Sequence, residues 1–199
     1  MGITTVKTVV IDDGSGDNTS EEASRAGVKV IKHVLNRGVG AATKTGIEYA
    51  KLTGADTVVT FDADGQHDPY DIQKLIIPII DKSADVVIGS RLKEKQKMPL
   101  DRFILNWFAN LVTFILFGVA STDSQSGLRA FSKKATHLIN FSGDRMDFSS
   151  EILLEAKKHD LKIIEVPTKA IYTSYSRAKG QKNTNSLSIL LRFLVKFLR

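Results

Sequence analysis

The sequence predicts an α/β fold with a mostly parallel sheet, and two observations carry that expectation. Short β-branched runs alternate with helix-like segments through the first 89 residues. Most of those runs also end in an acidic or glycine-containing turn. Alternation of this kind calls for parallel strands joined by right-handed crossovers. In such sheets the binding crevice opens at the carboxyl ends of the strands.

Val6–Ile11 is an apolar run that feeds Asp12-Asp13-Gly14-Ser15-Gly16, so it reads as a buried strand entering a loop. Thr19-x-x-Glu22 has capping-box spacing, and Gly27 is placed to end the short helix that follows. Val28–His33 is the second strand. Gly38 to Leu52 is Ala-rich and helical, with Gly54 beyond it. Asp56–Phe61 is the third strand and runs into Asp62-Ala63-Asp64-Gly65-Gln66-His67. Asp68-Pro69 supplies a cap and a first-turn proline for a helix to about Asp81. Asp85–Gly89 is the fourth strand. Asp12, Asp13, Asp62, Asp64 and Arg91 all follow strand ends, which places them on one edge of the sheet.

The second half is less regular. Phe103–Ala120 is almost wholly apolar, but Asn106, Asn110 and Thr113 recur at i, i+4, i+7 and form one polar stripe on a helix. Gly127–Ser132 reads as a strand, Phe148–Lys158 as a helix, and Lys162–Tyr172 as an extended segment broken at Pro167. Ser186–Arg199 reads as a basic amphipathic helix.

Composition narrows the function classes. The chain has 199 residues, 42% of them hydrophobic and 25% charged, which suits one folded domain with a short appendage. It has no Cys, so disulfides, thiolate zinc sites and Cys nucleophiles are excluded. The net charge of +6 is local: residues 175–199 hold six basic residues and no acid, while residues 1–174 are balanced at 22 of each sign. A neutral domain (1–174) with a basic tail (175–199) suits a membrane surface or a phosphate-bearing partner rather than nucleic acid. No run of about 20 apolar residues marks a membrane span.

Two acidic loops carry the chemistry. Asp62-x-Asp64-x-Gln66 offers hard oxygen ligands for Mg2+ or Mn2+, and a divalent ion there would neutralise a diphosphate that the loop alone repels. Asp12-Asp13 could accept hydrogen bonds from a base or ribose. Gly38-x-Gly40 lacks the remaining glycine of a dinucleotide fingerprint, which leaves helix packing or a backbone approach to phosphate. Arg91, Arg102 and Arg177 are candidate phosphate forks. His33, His137 and His159 are scattered and read as structural or surface residues.

The stretches VVIDDGSGDNT, LNRGVGAATKTGI, VVTFDADGQHDP, ADVVIGSR and DSQSGLRAF, in that order, resemble family 2 glycosyltransferases, and within them the dolichyl-phosphate mannose synthase-like group. The resemblance implies a GT-A fold, a Rossmann-like three-layer α/β/α architecture. It implies inverting transfer of a sugar from a GDP- or UDP-linked donor to a polyprenyl phosphate at the cytoplasmic face of the membrane. By the same resemblance Asp12, Asp13, Gly38 and Asp62 contact the nucleotide sugar. Asp62, Asp64 and Gln66 hold the metal. Arg91, Arg102, Asn106, Arg177 and Lys182 meet the acceptor phosphate, Lys182 one position away from the family's lysine. Asp64 and Arg91 stand as the catalytic pair. The family's opening strand and its Pro-x-Tyr-Asn-Glu-like motif have no counterpart ahead of Val6, so an incomplete base pocket and weak nucleotide affinity are expected.

Such chemistry needs no strong general base, because a phosphate monoester with a second pKa of about 6 arrives largely ionised. Other readings stay open at this level: transfer to a glycan or another lipid, an aspartyl-phosphate hydrolase using Asp62 as nucleophile, and a non-enzymatic membrane-surface module.

Overall fold

The computed structural model describes residues 5–93, 100–143 and 148–171, leaving aside the side chains of residues 101 and 102. Strand β1 (Val9–Asp12) pairs in parallel with β2 (Lys29–Lys32), bringing Asp12 level with Lys32. The connection is the short helix α1 (Thr19–Arg25). The capping box expected at Thr19 does not form. Asn18 occupies the cap without a side-chain bond, and Thr19 turns back onto Asp17. Gly27 follows the helix at φ +76°, the left-handed conformation that lets a chain leave a helix sharply.

The second sheet has the order β3-β5-β4-β6, built from β3 (Thr57–Thr60), β4 (Val86–Ser90), β5 (Arg129–Ser132) and β6 (Ile163–Pro167). β4 and β6 are parallel, while β5 runs antiparallel to both β3 and β4. Three of the four strands therefore share one direction, as the alternation predicts. The mixed pairing was not predicted. Alternation fixes the direction in which a crossover returns, but not whether a later strand slots in beside it. Here the helix α3 (Ile72–Ile80) carries the chain past one strand position, and β5 fills that position later.

β4 explains the layering. All five of its residues are buried, with Val86 and Ile88 on one face and Val87 on the other. A strand buried on both faces needs a helical layer on each. On one side α2 (Val39–Leu52), α5 (Lys133–Leu138) and α6 (Phe148–Lys158) supply Ile47, Ala135, Phe148, Ile152 and Leu153. On the other, α3 supplies Leu75 and Ile79 against Val87, Leu128 and Ala130. α2 also packs on β1, so it spans both sheets. Helix α3 starts as predicted. Asp68 accepts from the Tyr70 amide at 3.0 Å and Pro69 opens a single 3-10 turn (Pro69–Asp71) ahead of it.

Helix α4 (Leu100–Phe117) inverts the usual amphipathic pattern. Its polar stripe faces the protein. Asn110 takes the Ser124 amide on Oδ1 at 2.8 Å and donates to the Thr122 carbonyl at 2.6 Å, and Thr113 is buried against Ser124 and Ser150. Leu100, Phe103, Ile104, Trp107, Phe108, Phe114 and Ile115 are exposed instead. Among the described residues no helix is long and apolar enough to cross a membrane. The predicted helix Ser186–Arg199 and the boundary at residue 174 lie outside the described residues.

Candidate active site

The carboxyl ends of β3, β4 and β6 and the amino end of β5 meet at one edge of the second sheet. The register places Arg129 opposite both Thr60 and Ile88. Two loops converge there, one after β3 and one before β5. The Thr60 hydroxyl donates to the Gly127 carbonyl at 2.7 Å and joins them.

The loop after β3 carries the predicted metal residues. Asp64 Oδ1 accepts the Gln66 amide at 2.9 Å, an Asx turn that closes over Gly65 at φ +77°. The turn leaves Asp62 and Asp64 partly exposed. Asp62 lies directly over the Gly127 backbone, where any Cβ would collide with its carboxylate. Glycine at 127 is therefore a condition for that placement.

The loop before β5 organises the rest. Asp123 is fully buried and binds Arg91 edge-on, accepting from Nε at 2.7 Å and Nη2 at 2.8 Å, and from the Arg91 amide at 3.0 Å. Ser90 bonds Thr122 at 2.7 Å. Glu165 of β6 then accepts from the Ser121 hydroxyl and from both the amide and hydroxyl of Thr122, with Lys93 Nζ at 3.4 Å. Burial raises the Glu165 pKa, but the Thr122 and Ser121 donors and Lys93 outweigh it and hold the carboxyl below its usual range.

Arg129 underlies both loops. It is 1% exposed and donates to the carbonyls of Ser126 at 2.8 Å, Ser149 at 2.9 Å and Ser124 at 2.7 Å. Burial lowers its pKa to about 10, while Asp123 and Asp62 act to raise it. Its carbonyl bonds tie the loop before β5 to the start of α6. Sequence reasoning missed Asp123, Gly127 and Arg129 as site residues, although all three lie within DSQSGLRAF. Nothing local marks a core arginine, since its partners are backbone carbonyls.

The first acidic loop belongs to the other sheet: Asp12 ends β1, which pairs with β2, so Asp12 and Asp13 do not share the sheet edge of Asp62, Asp64 and Arg91 as the strand ends predicted. Asp12 is 1% exposed and accepts from the Ser15 amide at 2.8 Å and from the Ser20 hydroxyl, with Lys32 Nζ at 3.7 Å. The Ser20 and Ser15 bonds hold its pKa down to about 2. Asp13 accepts from the amides of Arg37 at 3.1 Å and Gly38 at 2.6 Å and meets His33 Nδ1 at 2.7 Å, while His33 Nε2 meets Thr45 at 2.9 Å. Burial raises the Asp13 pKa, but these bonds outweigh it, so the net shift is downward. Gly14 lies at φ +71° against the backbone of Leu35 and Asn36. In this arrangement Asp12, Asp13 and the Gly38 amide brace one loop against the other. His33 is a working part of that brace, as the structural reading of it anticipated.

Of the predicted acceptor residues, Arg91 stands at the edge just described and Asn106 lies on α4. The Arg102 side chain, Arg177 and Lys182 lie outside the described residues.

A mixed α/β sheet with helices on both faces and an acidic loop past β3 has the layout of the GT-A fold. Solved structures with this fold bear that out. Glucosyl-3-phosphoglycerate synthase from Mycobacterium tuberculosis, in complex with Mn2+, UDP and glucosyl-3-phosphoglycerate, matches 94% of this chain and 68% of its own at TM-score 0.66 and 18% identity. The model of glycosyl transferase family 2 matches residues 4–142, and the chain belongs to that family. An uncharacterized protein of Methanocaldococcus jannaschii is 46% identical over 94% of this chain and 79% of its own length. The UDP-N-acetylglucosamine–dolichyl-phosphate N-acetylglucosaminyltransferase of Methanococcus voltae is 45% identical over 94% and 83%. The undecaprenyl-phosphate mannosyltransferase of Micrococcus luteus is 32% identical over 80% and 69%. The protein is a glycosyltransferase, which sets aside the phosphohydrolase and non-enzymatic readings.

The residues fit a divalent cation of a particular kind. Among the described residues no three His, Asp or Glu side chains are grouped to hold a metal alone. Two partly exposed carboxylates on one turn suit a hard ion that fills its remaining positions with phosphate oxygens and water.

Proposed function

We propose that this protein transfers a sugar, with inversion, from a nucleotide sugar to a polyprenyl phosphate of the dolichyl type at a membrane surface. One observation carries the reading: the carboxylate loop at Asp62–Asp64 and the Arg91–Asp123 pair share one sheet edge, joined through Thr60 and Gly127. An acidic metal loop beside a fixed arginine suits a reaction between two phosphate-bearing substrates. The names of the M. voltae and M. luteus relatives support a polyprenyl phosphate acceptor, and the former supports a UDP-linked donor over a GDP-linked one.

In this reading an acceptor phosphate oxygen attacks the anomeric carbon as the bond from that carbon to the nucleoside diphosphate breaks. Asp62, Asp64 and Gln66 would hold Mg2+ or Mn2+, which when bound would supply charge stabilisation for the departing diphosphate. Arg91, fixed by Asp123, meets the acceptor phosphate with a pre-oriented guanidinium, which lowers the entropy cost of alignment. Arg102, Asn106, Arg177 and Lys182 complete the acceptor side, and Asp12, Asp13 and Gly38 shape the nucleotide side. The exposed apolar face of α4 supports contact with lipid, where such an acceptor resides.

The test is transfer from radiolabelled UDP-N-acetylglucosamine to dolichyl phosphate in detergent, with and without Mn2+. Metal-dependent formation of an acid-labile glycolipid is expected. Labelling of soluble glycans alone would redirect the acceptor assignment.

A further inference from the structure

The buried His67 is the one ring in the metal loop that the roles above leave unused. Its residue is 6% exposed, and its Nδ1 is buried with no hydrogen-bond partner among the described residues. Its Nε2 faces Asp62 Oδ2 at 3.6 Å. The ring edge packs on Phe61 at a centroid distance of 5.6 Å and 63°. The backbone pairs with Ala170, and the Ile171 amide donates to the Gln66 carbonyl at 2.8 Å. Phe61 and Asp62 thus flank the ring, and the pairing with Ala170 fixes the backbone that carries it.

A neutral imidazole carries its proton on one nitrogen only. A proton on Nδ1 would bury an unpaired N–H and aim the Nε2 lone pair at a carboxylate. A proton on Nε2 turns the same contact into attraction and leaves a bare lone pair at Nδ1, the less costly choice. The separation is slightly long for a hydrogen bond, and a small rotation of the half-exposed Asp62 closes it.

We propose that His67 is a positioning residue: as the Nε2–H tautomer it holds the Asp62 carboxylate over Gly127 at the rim of the metal loop. Its consequence for metal affinity rests on the donor-site reading above, whereas the contact itself does not.

Two measurements test it. In 15N-labelled protein, long-range 1H–15N spectra should show His67 as the Nε2–H tautomer, with an Nε2 shift that Asp62→Ala moves. An Nδ1–H tautomer, or indifference to Asp62→Ala, overturns the proposal. Calorimetry of Mn2+ binding with UDP present then compares two variants. His67→Leu should weaken binding about tenfold or more, as loss of an outer-shell partner does. His67→Gln, whose amide N–H reaches the Nε2 position, should stay within about threefold of wild type. Melting curves check that both fold. Equal binding by the two folded variants overturns the proposal. If the wild-type protein shows the predicted tautomer and Asp62 dependence yet binds no Mn2+–UDP, the donor-site reading fails and the His67–Asp62 contact stands.

Discussion

Arg91 and Asp123 face each other as a two-pronged pair, Nε to Oδ2 at 2.7 Å and Nη2 to Oδ1 at 2.8 Å, with the carboxylate fully buried. The planar fork matches a carboxylate in a way an ammonium cannot. Arg91→Lys therefore retains the charge and loses the geometry. Its activity should fall about as far as that of Arg91→Ala in the glycolipid assay. Recovery of most activity by lysine would reduce Arg91 to a general source of positive charge.

Asp123→Asn leaves a partly buried guanidinium without its counter-charge. Breaking such a pair from one side costs about 3–5 kcal/mol. Chemical denaturation should register a loss of that order.

The metal loop should behave in the opposite way. Asp64 is partly exposed, and its one described bond is to the Gln66 amide. Asp64→Asn retains that acceptor, so stability should change by only about 0.5 kcal/mol. Metal-dependent transfer should vanish. Full activity in a folded Asp64→Asn protein would remove this carboxylate from the mechanism.

Gly127→Ala tests the space under Asp62. The new methyl meets the carboxylate head-on, so the loop or the side chain must move. Overpacking of this kind costs about 1–3 kcal/mol. The Mn2+ concentration for half-maximal activity should rise, and an unchanged metal dependence would show that Asp62 need not sit where it does.

Acid should unfold the protein through carboxylates. Asp12 is held at about 2 against an ordinary 3.8, and Asp13 and Glu165 are also shifted down. Each folded value lies below its unfolded one. Their stabilisation is therefore complete above the unfolded range and is lost as pH falls from there through the folded values. Denaturation midpoints should drop steadily below about pH 4.5, the highest of the unfolded values. Asp12→Asn should flatten that slope, and a slope unchanged by it would mean that other groups dominate.

Trp107 is the sole tryptophan and is 56% exposed on the apolar face of α4. Its emission should shift to the blue when phosphatidylcholine vesicles are added, as an interfacial indole's does. Phe103→Ser with Ile104→Ser should weaken that response without lowering the melting temperature. Emission indifferent to vesicles would take α4 out of the membrane contact.

Much of this was legible before any coordinates. Asp68-Pro69, Gly27 and the apolar runs mark element ends because local chemistry decides them. The polar stripe Asn106, Asn110 and Thr113 was visible, but which side of α4 faces the protein was not. Hydrophobic periodicity normally points the apolar side inward, and here Ser124 and Thr122 claim the polar one. The insertion of β5 between β3 and β4 is equally non-local. So is the pairing of Arg91 with Asp123, 32 positions apart. The acidic loop at Asp62 could be recognised from its own residues, whereas the glycine beneath it and the arginine behind it become intelligible only once β5 is in place.

Arg129 binds the assembly of the rim to the survival of the molecule. Its three carbonyl partners come from the Asp123 loop and the start of α6, so the guanidinium that shapes the loop also fastens a helix to the sheet. Evolution can retune the rim here only by substitutions the interior tolerates. Divergence in sugar or acceptor preference within this architecture should therefore accumulate in side chains facing outward from these loops, while the ion beneath them stays fixed.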